Sequence, residues 1–138
     1  MYVDKELIFE EDWDLGTTAA TDYSDGCINL GMAARDVGKG RQMYCVIVVT
    51  EEFEPSSTSG TVTFSLIEDV NDTISSGSVV LLTTEAFTDT DLELGRAAIV
   101  IPVPSSVALQ YLGLSATWTQ NLSSGKVTAF LALEAQTN

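Results

Sequence analysis

From residue 26 onward the chain alternates between short apolar or alternating runs and clusters of Gly, Ser and Asp. Cys27-Ile28-Asn29-Leu30 sits between Gly26 and Gly31, and Met43-Tyr44-Cys45-Val46-Ile47-Val48-Val49 stays apolar until Glu51-Glu52 ends it. A continuous run of that kind predicts a strand covered on both faces, or central in a sandwich. Thr61-Val62-Thr63-Phe64-Ser65-Leu66 alternates without a fault, and a period of two turns Val62, Phe64 and Leu66 inward. After a turn-rich loop over 71–77 comes Val79-Val80-Leu81-Leu82. The acidic stretch Thr88 to Gly95 reads as a hairpin-like connection, and Ala97-Ala98-Ile99-Val100-Ile101 is stopped by Pro102 and Pro104. Between 107 and 119, Leu112, Leu114, Ala116 and Trp118 share one face. The last run places Val127, Ala129, Leu131 and Leu133 together, with Phe130 on the opposite side.

About seven or eight such strands, with no helical stripe between them, predict an all-β antiparallel β-sandwich, jelly-roll-like by strand number. Residues 1–25 differ from the rest. They are acidic, carry Leu7, Phe9 and Trp13, and are expected to form an N-terminal edge strand or an arm reaching a neighbouring subunit. Residues 26–138 are expected to form the sandwich itself. A chain of 138 residues, 45% hydrophobic, suits one domain with a core large enough to fold without staples. No run approaches the roughly 18 apolar residues of a membrane helix. The start Met1-Tyr2-Val3-Asp4-Lys5-Glu6 lacks the basic and apolar regions of a secretory signal, so a cytoplasmic origin is expected.

Charge narrows the partners. Twenty acidic residues against six basic ones give a net charge of −14. Phosphate backbones and anionic membranes need clustered Lys and Arg, so neither nucleic acid nor membrane is expected as a partner. The acidity serves solubility, or else forms a surface complementary to a basic partner. Cys27 and Cys45 are expected as two reduced, buried thiols, a cross-strand disulfide being the alternative. The chain has no histidine, which removes the commonest metal ligand and the commonest general base at neutral pH.

Candidate chemistry is sparse. Gly38-Lys39-Gly40-Arg41 lacks the third glycine and the following helix of a dinucleotide fingerprint, so it reads as a turn. Asp22-Tyr23-Ser24-Asp25-Gly26 looks faintly like a calcium loop, but glycine comes one position early. The pairs Asp69/Asp72 and Asp89/Asp91 stand no higher. Paired carboxylates for glycoside hydrolysis cannot be selected among so many acids, and no G-x-S-x-G elbow occurs. Nothing singles out Lys5, Lys39 or Lys126 as a base. The expectation is therefore no enzyme, no cofactor and no resident metal. Trp118 reads as core. Trp13 in the acidic leader and Phe130 on the last strand read as exposed aromatic anchors and interface candidates.

Ile28-Asn29-Leu30-Gly31-Met32 followed by Ala34-Arg35-Asp36-Val37-Gly38-Lys39-Gly40, and then the apolar run Met43 to Val49, resembles a known family. The same likeness continues in Gly95-Arg96-Ala97 leading to Ile101-Pro102-Val103-Pro104, and in Gln110-Tyr111-Leu112-Gly113-Leu114 before the closing strand from Gly125 to Leu133. The chain resembles the small jelly-roll cement, or decoration, proteins of tailed bacteriophages, of the kind found on a Bordetella phage head. The likeness covers roughly residues 26–133. It implies a jelly roll on the capsid surface of the virion, bound across neighbouring major capsid proteins without enzymatic activity. It also implies a symmetric homo-oligomer, for which a dimer is expected first and a trimer second. Arg35 and Asp36 then become interface candidates, although a charge pair that simply pins its own loop shut is the first reading of them. The competing expectation is a carbohydrate-binding or adhesive sandwich, which would show exposed aromatics in a row or groove.

Overall fold

The computed structural model describes residues 5–32, the backbone of 35 and 36, and residues 41–133. Among these, the strands are β1 (Ile8–Asp14), β2 (Thr21–Tyr23), β3 (Ile28–Asn29), β4 (Arg35–Asp36), β5 (Tyr44–Pro55), β6 (Thr61–Asp69), β7 (Val79–Thr83), β8 (Phe87–Thr88), β9 (Ile99–Pro102), β10 (Ser106–Val107), β11 (Tyr111–Trp118) and β12 (Leu122–Ala132). One sheet runs β1-β12-β5-β9. The other runs β2-β11-β6-β7, with β3 also on β11 and β8 also on β6. β4 and β10 form a separate small ladder, and every pairing is antiparallel.

This order defines the fold. β1 pairs with β12, β2 with β11, β5 with β9 and β6 with β7, so the chain is a set of nested antiparallel pairs. Rolling such a nested ribbon into two layers produces a jelly roll. The sandwich expected from the sequence is thus present, and its topology supplies the detail that strand number alone did not.

Alternation builds the core. Val62, Phe64 and Leu66 of β6 and Leu112, Leu114, Ala116 and Trp118 of β11 face Cys45, Ile47 and Val49 of β5 and Val127, Ala129 and Leu131 of β12 across one continuous cluster. The register Leu114↔Leu66 and Ala116↔Phe64 places inward residues of β6 and β11 side by side. β5 lies between β12 and β9, and both its faces are covered at its start. Cys45 and Ile47 join the central cluster while Val46 on the other face is also fully buried, which accounts for the uninterrupted apolar run. Gly125 lies at φ +147°, and a Cβ there would stand 2.7 Å from the Phe53 ring, so β12 crosses β5 only with glycine at that position.

Several expectations need correction. Leu133 falls just past the end of β12 and is exposed, because the ladder stops at Ala132↔Tyr44. Residues 88–95 do not form a hairpin. Asp89–Asp91 is a 3-10 turn closed by the Thr88 and Asp91 side chains, and Leu92 behind it is fully buried. Both cysteines are free, but only Cys45 is buried. Cys27 is half-buried and its thiol donates to the Asp72 carbonyl oxygen at 3.2 Å. Burial pushes the Cys45 thiol far up, so it stays a neutral thiol.

Candidate docking surface

The sequence put Trp13 forward as an exposed anchor, and the structure buries it. Trp13 is 5% exposed, belongs to the central cluster with Phe9, and donates its indole N–H to Asp22 Oδ2 at 3.0 Å. β1 reaches this position through two register irregularities against β12. Asp12, within the second of them, takes a φ of +50°, and its N–H goes to the Thr128 hydroxyl. Phe9 and Trp13, four residues apart, share the inward face, while the bulges bend the edge strand.

Phe130 is likewise only 5% exposed. It does lie on the face away from the central cluster, as the alternation predicted. However, β12 is an internal strand, and Phe130 is flanked in register by Ile8 on one side and Val46 on the other. Neighbouring strands shield it, so it is not a free anchor. Arg35 and Asp36 lie on β4, opposite Val107 and Ser106, and their side chains fall outside the described residues. Lys39 and the rest of the 37–40 loop also lie outside them.

The carboxylates singled out earlier are tied into local structure. Asp22 accepts from Trp13, and the Asp25 N–H donates to Glu10 Oε2 at 2.6 Å. Partial burial, more than the neighbouring Asp25 charge, pushes the Glu10 carboxyl up. Asp69 accepts from the Ser78 hydroxyl and the Asn71 N–H, which hold its carboxyl below the ordinary range. This pins the 70–78 loop, whose Ile74 lies where any side chain at Gly113 would collide with it. Buried Glu68 accepts from the N–H groups of Ala108 and Leu109 and so anchors the turn into β11. Among the described residues no group of three Asp, Glu or Cys side chains converges as metal ligands would. Lys126 pairs with Glu51 at 2.9 Å.

What the sheet order creates is a two-sided molecule. β1 and β2 lie at one side of the sandwich, and β9 and β7 at the other. β1 carries Glu10, Glu11, Asp12 and Asp14 within seven residues. By contrast, residues 73–84, which contain β7, and residues 97–125, which contain β9, include no charged residue at all. Between β7 and β9 a groove of about 420 Å³ opens, lined among others by Leu82, Glu85, Phe87, Ile99, Val100 and Pro102. Arg96 closes part of this groove. Its guanidinium lies 5.1 Å from the Phe87 ring centroid, and it donates to the carbonyl oxygens of Asp91 and Ala97.

β7 is the feature that sequence reasoning missed. Val79 is 51% exposed, Val80 56% and Leu82 36%, while Leu81 tucks against the core. The run was read as a strand, but its place at a sheet edge was not readable. The available signal was its lack of charged flanks. The exposed large apolar side chains among the described residues are Met, Val and Leu, with no aromatic among them. The row of exposed aromatics that a sugar-binding platform requires is absent from the described surface.

A model of the Bbp16 family matches residues 15–131, from just after β1 to near the end of β12. The family bears the name of a Bordetella phage protein, which suggests a phage structural protein. No curated protein matches the chain. With the matched span taking in almost the whole jelly roll, the chain belongs to the Bbp16 family.

Proposed function

We propose that this protein is a non-enzymatic cement protein that binds across neighbouring major capsid proteins of a tailed phage head and stabilises it. The observation that carries this reading is the division of the jelly roll into an acidic side at β1 and an open side at β7 and β9. On the open side the strands themselves carry no charge, and the groove between them holds one acid, Glu85, against one base, Arg96. A protein that works by area and avidity needs distinct contact surfaces and no chemical centre. The acidic side suits a basic area of a capsid protein, where complementary charge speeds encounter and fixes orientation. Family membership supports the phage setting. The absence of histidine from the chain fits a role without acid–base chemistry. In this reading the protein acts as a homo-oligomer on the outside of the virion, a dimer before a trimer.

Co-sedimentation of the purified protein with undecorated phage heads tests this. Saturable binding with a fixed number of copies per head is expected, and binding should weaken as salt rises, because salt screens the acidic contact. Failure to bind the heads of its own phage at any salt concentration removes the cement reading.

A further inference from the structure

The four strands at the lateral sides of the sandwich differ in how well they are protected against pairing with another chain. Exposed edges are normally blunted by charge, proline, bulges or shortness. β1 has four carboxylates and two bulges. β2 has three residues and includes Asp22. β9 has four residues and ends in Pro102. β7 has none of the chemical protections. Its sequence Val-Val-Leu-Leu-Thr carries no charge and no proline, and its ladder to β6 has a single irregularity at Leu81.

From this we propose that β7 is the self-association edge, pairing antiparallel with β7 of a second copy about a two-fold axis. The inference rests on the reading of the protein as a head-binding oligomer and names the surface that makes the pair. The second copy, rather than a capsid protein, is the occupant because of charge. A molecule of net charge −14 repels its own kind, so two copies approach closely only where charge is absent or balanced. The 73–84 stretch carries no charge and the groove beside it sets Glu85 against Arg96, so this side is close to neutral. The acidic β1 edges then point outward at opposite ends of the dimer. Pairing joins the two β2-β11-β6-β7 sheets into one continuous sheet. Val79, Val80 and Leu82 leave water, and the groove beside β9 is walled by the partner. The contact is isologous, so it closes as a dimer and does not propagate to a trimer or a filament.

Salt distinguishes this contact from head docking. Raising salt screens the repulsion between two acidic copies and tightens the dimer, whereas it loosens an acidic surface from a basic capsid.

Sedimentation velocity of the full chain across micromolar concentrations, at low and high salt, tests the proposal together with Val80→Lys and Leu133→Lys. Both side chains are exposed, so circular dichroism and melting should match the wild type. The wild type is expected to be a dimer, tighter at high salt. Val80→Lys should raise the dissociation constant about a hundredfold, since it sets like charges near each other across the two-fold. Leu133→Lys, at the end of β12 in the other sheet, should leave the dimer intact. Amide exchange in β7 should be slow in the dimer and fast in Val80→Lys. A monomeric wild type, or a Val80→Lys protein that dimerises as well as the wild type, overturns the proposal. Heads bound by a wild type that is monomeric throughout would also overturn this interface, while the cement reading would stand. A β7 dimer that binds no heads would support the interface and remove the cement reading.

Discussion

Replacing Trp13 by alanine is expected to lower the unfolding free energy by about 4 kcal/mol, the range found when a buried large aromatic is truncated. The expectation follows from the position of the indole. It is 5% exposed, packs in the same cluster as Phe9 and Leu15, and bonds through its N–H to Asp22 on β2. That bond ties the edge strand of one sheet to the edge strand of the other and closes the acidic side of the sandwich. Alanine would open a cavity there and leave the Asp22 carboxylate without its donor. Urea unfolding of the variant should show a lower midpoint with an unchanged slope. Trp13→Phe keeps most of the buried surface and loses the hydrogen bond, so it should cost only about 1 kcal/mol. If Trp13→Ala costs no more than Trp13→Phe, the leader is an arm lying on the body rather than part of its core.

The second large effect is expected at Gly26, about 3 kcal/mol of destabilisation on substitution by alanine. The reason is room. A Cβ on Gly26 would stand 2.1 Å from the Phe9 carbonyl oxygen and 3.1 Å from its carbonyl carbon. These are backbone atoms of β1, which cannot rotate aside as a side-chain tip can. The substitution therefore pushes β1 off the segment leading into β3, at the strand that carries Phe9 and Trp13. Gly77→Ala provides the comparison, because its Cβ would meet only the Ser75 hydroxyl oxygen at 3.9 Å. That change should be close to neutral, with any gain coming from a less flexible unfolded chain. Equal midpoints for the two variants in denaturant unfolding would show that β1 and Gly26 are not in close contact.

Much of the fold was legible because face selection in a strand is local. The alternation of Thr61 to Leu66 and of Leu112 to Trp118 reports which side chains point inward, and the core contains them. The long apolar run from Met43 marked a strand covered on both faces for the same reason, since Cys45 and Ile47 face the core and Val46 is buried on the other side. What could not be read is lateral position, which depends on strand order and so on contacts distant in sequence. Phe130 was assigned to the correct face but was taken as exposed, because nothing near it says that Ile8 and Val46 flank it. Trp13 was misjudged because four carboxylates surround it, although Phe9, Trp13 and Leu15 keep the period of two that an inward face shows. The same limitation hid the exposure of β7, where Val79 and Val80 look like core residues until the sheet order puts them at an edge. The likeness to phage cement proteins pointed to the phage family, which the match over residues 15–131 supports.

A cement protein must strengthen the head it binds, and binding alone does not establish that. The most direct measurement is the temperature at which undecorated, DNA-filled heads rupture and release DNA, with and without a saturating amount of the protein. Decorated heads are expected to rupture at a higher temperature, with the increase rising as occupancy rises and levelling off at saturation. Heads that bind the protein to saturation yet rupture at the temperature of bare heads would contradict the cement reading.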